Sequence, residues 1–208
     1  MNRLSRFLKF SLLLTVPTLF ISCHNSQPKS GMQMAQKRDI EAQRHEQEVI
    51  VIDTDYGDIV ILPATKSAPN TSRKFRELAE QGFYDGLAFH FVEPGKIIQG
   101  GDINSRDDDP ANDGTGDPGF NQEPEISAPN LRGSVGLAHP PDEPNKGNSQ
   151  FYILLTDMPN LDGRYTVFGI VVDGMSVVEK ISRVTADPQG HPLKKVVMKR
   201  VYIEKRVV

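Results

Sequence analysis

The residues from Phe89 to Asp102 read Phe-His-Phe-Val-Glu-Pro-Gly-Lys-Ile-Ile-Gln-Gly-Gly-Asp. Two short apolar runs, at 89–92 and 97–98, flank the sequence Glu93-Pro94-Gly95. Proline fixes its own φ and glycine accepts backbone angles that other residues avoid, so these three residues predict a turn. We therefore expect a strand, a turn and a second strand that ends at the glycine pair.

This stretch resembles the signature of the cyclophilin-type peptidyl-prolyl cis-trans isomerases, Phe-His-Arg-Val-x-Pro-x-Phe-x-Ile-Gln-Gly-Gly-Asp. Two later stretches, Ser149 to Leu154 and Leu161 to Gly169, resemble the second and third signatures of that family and follow in the same order. The resemblance extends over residues 49–208. It implies a mainly β fold, a closed antiparallel eight-stranded barrel plugged by two α-helices.

The hydrophobic pattern of the chain favours the same architecture. Val49 to Asp53 and Ile59 to Leu62 are rich in valine and isoleucine, and the turn residues between them predict a hairpin. Pro69 can occupy the first turn of a helix whose apolar stripe begins at Phe75. A second helical stripe runs from Gly174 to Ile181. Strands interrupted by two helices are what a closed barrel with plugged ends requires.

The N-terminus has the pattern of a targeting segment. Arg3, Arg6 and Lys9 precede an apolar run from Phe10 to Ile21, and Cys23, the only cysteine, follows directly. The run is too short to cross a bilayer comfortably, and the pattern resembles a bacterial lipoprotein signal in which the cysteine becomes lipidated. An ordinary secretory signal or an uncleaved anchor is the alternative interpretation.

These observations divide the chain into three parts. We expect a lipoprotein signal peptide at 1–22, a flexible tether at 23–47 and a cyclophilin-like domain at 48–208. The tether has no sustained apolar period with which to bury a helix face. The predicted protein is a monomer, held by its lipid on the membrane of the bacterial cell envelope, with the periplasmic side favoured.

Composition excludes several other classes of protein. The formal net charge is −3, and no concentrated basic face points to a nucleic-acid partner. A single cysteine allows no intrachain disulfide. The acidic run Asp107 to Asp109 invites comparison with a calcium loop, but Ala111 and Phe120 occupy positions where such a loop needs ligands. We expect no metal and no cofactor.

The resemblance implies a groove that binds an extended, proline-containing polypeptide segment. It assigns Gln99 to hydrogen bonding with the substrate backbone, and Phe91 occupies the position of the family's catalytic arginine. Taken without the resemblance, Gln99 would be an ordinary surface amide, and Tyr152 and Leu161 would be core residues. The substrate-binding positions carried over from the family are Lys96, Ile97, Ala138, His139, Tyr152, Asn160, Leu161 and Tyr165.

The implied reaction is rotation about the peptide bond that precedes proline, against a barrier of about 18–20 kcal/mol. An enzyme must favour the twisted amide over either planar form. A donor aimed at the proline nitrogen would do this, but Phe91 has none, and losing such a donor costs roughly 10²–10³ in rate. We therefore predict a weakened isomerase that assists the folding of exported proteins. Candidate substitutes for the missing cation are Lys96, Arg106 and Arg164.

Two other functions remain open at the level of sequence. The chain could be a binding module that grips proline-containing segments without isomerising them, as a chaperone or scaffold does. Phe91 and Lys96 favour that alternative, whereas Gln99, Ile97 and Leu161 favour the enzyme. A structural lipoprotein of the envelope is the third possibility.

Overall fold

A computed structural model describes residues 46–208. Short 3₁₀ turns accompany the regular elements at Ile103–Arg106, Pro144–Lys146 and Pro159–Leu161. The strands are β1 (Glu46–Thr54), β2 (Gly57–Pro63), β3 (Ala88–Glu93), β4 (Ile97–Gly100), β5 (Ser134–Leu137), β6 (Phe151–Leu154), β7 (Val167–Asp173) and β8 (Val196–Val207). The helices of this part of the chain are α1 (Pro69–Glu80) and α2 (Met175–Ser182).

The strands close into an antiparallel barrel in the order β1-β2-β7-β5-β6-β4-β3-β8. Closure pairs every strand on both sides, so the barrel has no unpaired sheet edge. The predicted fold class, a mainly β closed barrel with two helices, is confirmed.

Alternation along the strands separates the inside of the barrel from the outside. In the β1–β2 hairpin, Ile50 pairs with Ile61 and Ile52 with Ile59, and all four belong to the main core. Val51, between them, belongs to a separate cluster on the other face of the same strands. Both faces of the hairpin are therefore buried, since Val51 and Val60 are as inaccessible as the isoleucines of the main core.

Helix α1 closes the barrel with an aromatic cluster. The ring of Phe75 stacks on Tyr84 at 4.5 Å and meets the edge of Phe151 at 5.1 Å. The helix begins at Pro69, as the sequence predicts, and packs against β7 and β8. Its first N–H groups have no cap from their own segment; the carboxylate of Glu125, in a distant loop, accepts from them instead.

The β3–β4 hairpin is the one predicted from the opening stretch. Gly95 takes a φ of +72°, and Lys96 N donates to Glu93 O over 3.0 Å to close the turn. The register shifts between Phe89 and Phe91, which indicates a bulge in β3. The hairpin thus keeps residue 91 beside residue 99 on the outer face of the barrel.

The ends of two strands differ from the sequence prediction. Strand β1 begins at Glu46, inside the segment predicted as tether. The mixed apolar and polar pattern from Lys195 to Val201 predicts the closing strand, but β8 continues to Val207. Glu46 pairs with Val207, so the two strands extend each other as one ladder. Charged residues dominate these ends, and a pattern of burial alone gives no sign of a ladder there.

The predicted signal peptide, Cys23 and most of the predicted tether lie outside the described residues. Within 46–208, neither helix is long and apolar enough to cross a bilayer.

Candidate functional site

The site lies on the outer face of the barrel, where register brings four strands together. Phe91 of β3 pairs with Gln99 of β4, Gln99 pairs with Tyr152 of β6, and Tyr152 pairs with Gly136 of β5. Residues that are far apart in sequence therefore form one row across the sheet. Gln99 and Tyr152, in the middle of this row, line a cleft of about 660 Å³.

Most of the sequence-predicted site residues meet in this cleft. The loop from Gly114 to Asp117 and the segment around Lys146 contribute to its other walls. The predicted residues that line it are Ile97, Gln99, Ala138, His139, Tyr152, Leu161 and Tyr165.

Three of the predicted positions are not part of the cleft lining. Lys96 is exposed and paired with Glu93, and Asn160 is exposed on the short 3₁₀ turn. Phe91 is half-buried and its ring packs beside Gly190: a Cβ on that glycine would lie 2.6 Å from Cε2 of Phe91. The position of the family's arginine is thus occupied by a ring held under the 184–195 loop.

An apolar pocket occupies one end of the cleft. Tyr152 is only 3% exposed and forms its floor, with Ile97 and Leu161 packed around it. Tyr165 meets the Tyr152 ring edge-on at 6.0 Å. Met158 belongs to the same cluster and was not predicted, because a single methionine in a loop carries no periodic signal. The apolar lining of this pocket suits a small apolar ring such as proline.

The rim of the pocket is aromatic. The His139 ring stacks on Tyr165 with 4.2 Å between centroids, and the ring nitrogens of His139 lie 2.8 Å from Pro140 O and 3.2 Å from Arg164 O. These contacts hold the imidazole flat against its neighbour. The His139 side chain is therefore a wall of the cleft.

The polar base of the cleft is a chain of amides. Gln99 Nε2 donates to Gln150 Oε1 over 3.1 Å, and Gln150 Nε2 donates to Gly114 O over 3.1 Å. Gln150 is 7% exposed and lies within the stretch that matched the second signature, so its position was available from the sequence although its role was not.

Tyr152 reaches beyond the pocket to a residue that the sequence did not single out. Its hydroxyl donates to Asn130 Oδ1 over 2.5 Å. Burial raises the pKa of the Tyr152 hydroxyl well above its usual value, with smaller contributions from Tyr165 and Asp162. The hydroxyl therefore stays protonated and acts as a hydrogen-bond donor.

Each predicted substitute cation is already engaged elsewhere. Lys96 pairs with Glu93. Arg106 Nη2 donates to Phe83 O over 2.9 Å, and Arg164 Nη2 donates to Pro141 O over 3.3 Å. Among the cleft-lining residues of the described chain, Lys146 is the sole lysine or arginine, and its Nζ lies 3.9 Å from Glu143 Oε2.

His90 lies behind the cleft and is 4% exposed. Burial lowers the pKa of His90 to about 4, although the nearby Asp102 carboxylate opposes this shift. Its Nδ1 has no hydrogen-bond partner within residues 46–208. The imidazole is therefore neutral at pH 7, and His90 is a buried structural residue.

The part of the chain that the structure describes has no preformed metal site. No group of three or more His, Cys, Asp or Glu side chains within 46–208 is arranged to hold an ion. In the acidic loop, Asp107 instead accepts from Asp109 N and from Asn112 Nδ2, at 2.8 and 3.0 Å.

Comparison with known proteins identifies the family of this chain. Residues 49–203 match the family described as cyclophilin type peptidyl-prolyl cis-trans isomerase. The chain belongs to the cyclophilin family. This cyclophilin is therefore an enzyme of the rotamase class, as its sequence motifs imply.

Relatives from distant organisms carry the same activity in their names. A peptidyl-prolyl cis-trans isomerase of Schizosaccharomyces pombe is 35% identical over 145 residues, which are 69% of this chain and 91% of the relative. A peptidyl-prolyl cis-trans isomerase of Helicobacter pylori is 39% identical over 137 residues, or 64% of this chain and 78% of the relative.

A solved structure supports the assignment of the barrel. The cyclophilin-type isomerase of Cryptosporidium parvum, crystallised in the presence of the dipeptide Ala-Pro, superposes with a TM-score of 0.69 and 27% sequence identity. The match covers 76% of this cyclophilin and 99% of that chain.

Proposed function

We propose that this cyclophilin is a slow prolyl isomerase, anchored as a monomer to the bacterial envelope through a lipid on Cys23, that acts on exported polypeptides. The observation that carries the proposal is the contrast within one row of the sheet. Gln99 and Tyr152 present a binding surface for a proline-containing segment, while Phe91, next to Gln99, has no hydrogen-bond donor.

Binding is supported by the division of the cleft into two parts. The apolar pocket around Tyr152 and Leu161 suits the proline ring. The side-chain amide of Gln99 suits the polar backbone of an extended chain. The Cryptosporidium parvum relative was crystallised with Ala-Pro, a ligand of the chemistry that this division favours.

Slow turnover follows from the charge distribution. Twisting the amide concentrates the lone pair on the proline nitrogen, and a positioned donor stabilises that state most when it is fixed in advance. Phe91 supplies none, and Lys96, Arg106 and Arg164 are engaged with other partners. Lys146 lines the cleft, but it is an exposed side chain near Glu143 and is not fixed by a second bond.

A non-catalytic role is the second candidate, and the same residue favours it. A cleft that keeps its pocket but lacks the donor at Phe91 would bind proline segments and leave their cis/trans exchange unchanged. Such a protein would act as a chaperone or scaffold for polypeptides that emerge at the membrane.

Exchange spectroscopy on a proline peptide separates the two candidates. We expect the wild-type protein to shift the peptide resonances and to accelerate exchange weakly, and Phe91→Arg to raise the exchange rate by roughly 10²-fold. Tyr56→Arg, in the exposed β1–β2 turn, adds the same charge away from the cleft and is the matched control. Shifted resonances without exchange in wild type would support the binding module, and an unchanged Phe91→Arg rate would show that the donor was not limiting.

Anchoring needs a separate experiment. In cells that express the full chain, a radiolabelled fatty acid should enter the wild-type protein and not Cys23→Ala, and only the wild type should partition into the detergent phase. Equal labelling of both proteins, or of neither, would exclude the lipoprotein form and leave an ordinary secretory signal or an uncleaved anchor.

A further inference from the structure

A buried asparagine joins the two halves of the apolar pocket. Asn130 precedes β5 and is 1% exposed. Its side-chain Oδ1 accepts from the Tyr152 hydroxyl over 2.5 Å, and its backbone oxygen accepts from Met158 N over 2.8 Å. Its N and Nδ2 both donate to Asp162 Oδ1, at 2.7 and 3.2 Å. Asn130 therefore bonds both the Tyr152 floor of the pocket and the two ends of the segment 158–162, which contains Leu161 of the pocket lining.

The polarity of these bonds is determined by chemistry. The Asp162 carboxylate accepts only, so the Nδ2 group of Asn130 must face it. The amide oxygen of Asn130 then faces Tyr152, whose hydroxyl must donate. The hydroxyl proton is consequently directed to Asn130, so Tyr152 contributes its aromatic ring to the floor of the pocket and no free hydroxyl donor.

The space for the Tyr152 side chain comes from Gly136 on the neighbouring strand β5. A Cβ at Gly136 would lie 2.1 Å from Cζ and 2.2 Å from the hydroxyl oxygen of Tyr152, closer than atoms can pack. Tyrosine fits here because residue 136 has no side chain and because Asn130 satisfies its hydroxyl. Tyr152, Gly136 and Asn130 therefore form one structural unit.

We propose that Asn130 is a positioning residue that holds the Tyr152 floor and the segment 158–162 at a fixed separation, and so makes the pocket selective for the five-membered proline ring. The inference rests on the proposed binding of proline segments in this cleft. A pocket discriminates against one extra methylene only as far as its walls resist moving apart, and here the hydrogen bonds of Asn130 resist that movement.

The test compares two peptides that differ only in ring size, one with proline and one with the six-membered homologue piperidine-2-carboxylic acid. Dissociation constants come from NMR titration of the full folded chain. We expect the wild type to prefer proline by about tenfold, the scale on which one methylene is discriminated in an apolar pocket. We expect Asn130→Leu, which keeps the volume and removes the bonds, to reduce the preference to about threefold or less.

A double-mutant cycle distinguishes positioning from a general loss of stability. Tyr152→Phe removes the hydroxyl and keeps the ring, so it should lower the ring-size preference part of the way. Because the hydroxyl acts through Asn130, adding Tyr152→Phe to Asn130→Leu should change the preference no further. Additive effects on the preference would overturn the inference.

Two aspartates in the same loop provide a milder variant and its control. Asp162→Asn replaces the acceptor-only carboxylate that orients Asn130 by a neutral amide that can also donate, so it should weaken that orientation and also lower the preference for proline. Asp157→Asn should not, because Asp157 accepts from Arg132 N and has no hydrogen bond to Asn130. If Asn130→Leu does not fold, Tyr152→Phe and Asp162→Asn carry the test.

The outcomes separate this inference from the proposed function. Variants that fold and bind with the wild-type preference would overturn the positioning role alone. A wild-type protein that binds neither peptide would overturn the proposed function and this inference with it.

Discussion

Gln99 and Gln150 are joined side chain to side chain, with 3.1 Å between Gln99 Nε2 and Gln150 Oε1. The direction of this bond follows from the next one. Gly114 O can only accept, so Gln150 must turn its Nε2 towards it and its Oε1 towards Gln99. Gln99 then donates to Gln150. Under the proposed binding of a proline segment, its carbonyl oxygen is the acceptor for a backbone N–H of that segment.

Removing Gln150 should therefore weaken peptide binding through Gln99. In Gln150→Leu the orientation of the Gln99 amide is no longer fixed, and we expect the Kd for a proline peptide to rise about 3- to 10-fold, the equivalent of one hydrogen bond. NMR titration measures this directly. Gln81→Leu, at an exposed position after α1, is the control, and an equal Kd in Gln150→Leu and wild type would contradict the amide chain.

The barrel and much of the cleft could be predicted because local pattern and motif agree. The Glu93-Pro94-Gly95 turn fixes the β3–β4 hairpin, and the continuous valine and isoleucine runs of β1 and β2 are typical of strands buried on both faces. Strand register then brings residues such as Ile97 and Tyr152 to the site, and the match to the family motifs predicts that register.

What the sequence could not supply are contacts between single side chains far apart in the chain. Glu125 caps a helix 54 residues away, and Asn130 meets Asp162 across 32 residues. Neither contact leaves a local period. Lys96 illustrates the converse: its position in the motif made it a candidate for the cleft, but Glu93, three residues earlier, is near enough to pair with it.

His90 should make the free energy of unfolding depend on pH. Burial lowers its pKa from 6.5 to about 4 in the folded protein, so between these values the unfolded chain binds the proton and the folded protein does not. Stability is therefore full above pH 6.5 and falls as the pH drops towards 4. We expect His90 to account for a loss of about 2 kcal/mol between pH 7 and pH 5.

Urea unfolding at the two pH values tests the role of His90. In His90→Asn the group that titrates is absent, so the difference in unfolding free energy between pH 7 and pH 5 should shrink by that amount. An unchanged difference would show that the pKa of His90 is the same in the folded and the unfolded state.

Glu125 should stabilise α1 from outside the helix. Its carboxylate accepts from the N–H groups of Asn70 and Thr71 and from both of their side chains. Burial raises the pKa of Glu125, but these hydrogen bonds outweigh it and lower the pKa below 4.5. Glu125→Ala should lower the free energy of unfolding at pH 7 by about 1–2 kcal/mol, as the loss of a helix cap does.

The pH dependence of this cap has a defined sign. Because the folded pKa is depressed, the stabilisation is present above pH 4.5 and disappears as the pH falls through the folded value. The difference between wild type and Glu125→Ala in urea unfolding should therefore be smaller at pH 3 than at pH 7. Glu123→Ala removes an exposed carboxylate from the same loop, and a loss at pH 7 equal to that of Glu125→Ala would rule out the cap.

Gly136 should be the least replaceable residue of the cleft floor. A methyl group there would fall 2.1 Å from Cζ of Tyr152, so Gly136→Ala must displace the ring, and we expect a loss of about 1–3 kcal/mol in unfolding free energy from overpacking. Because the displaced ring enters the pocket, the Kd for a proline peptide should rise by more than the loss of one hydrogen bond would cause, that is, by over about tenfold. Combining Gly136→Ala with Tyr152→Leu removes the clashing ring atoms, so stability should recover in part while affinity stays low. Wild-type affinity in Gly136→Ala alone would mean that the floor is free to move, which the contacts of Tyr152 with Asn130 and Tyr165 argue against.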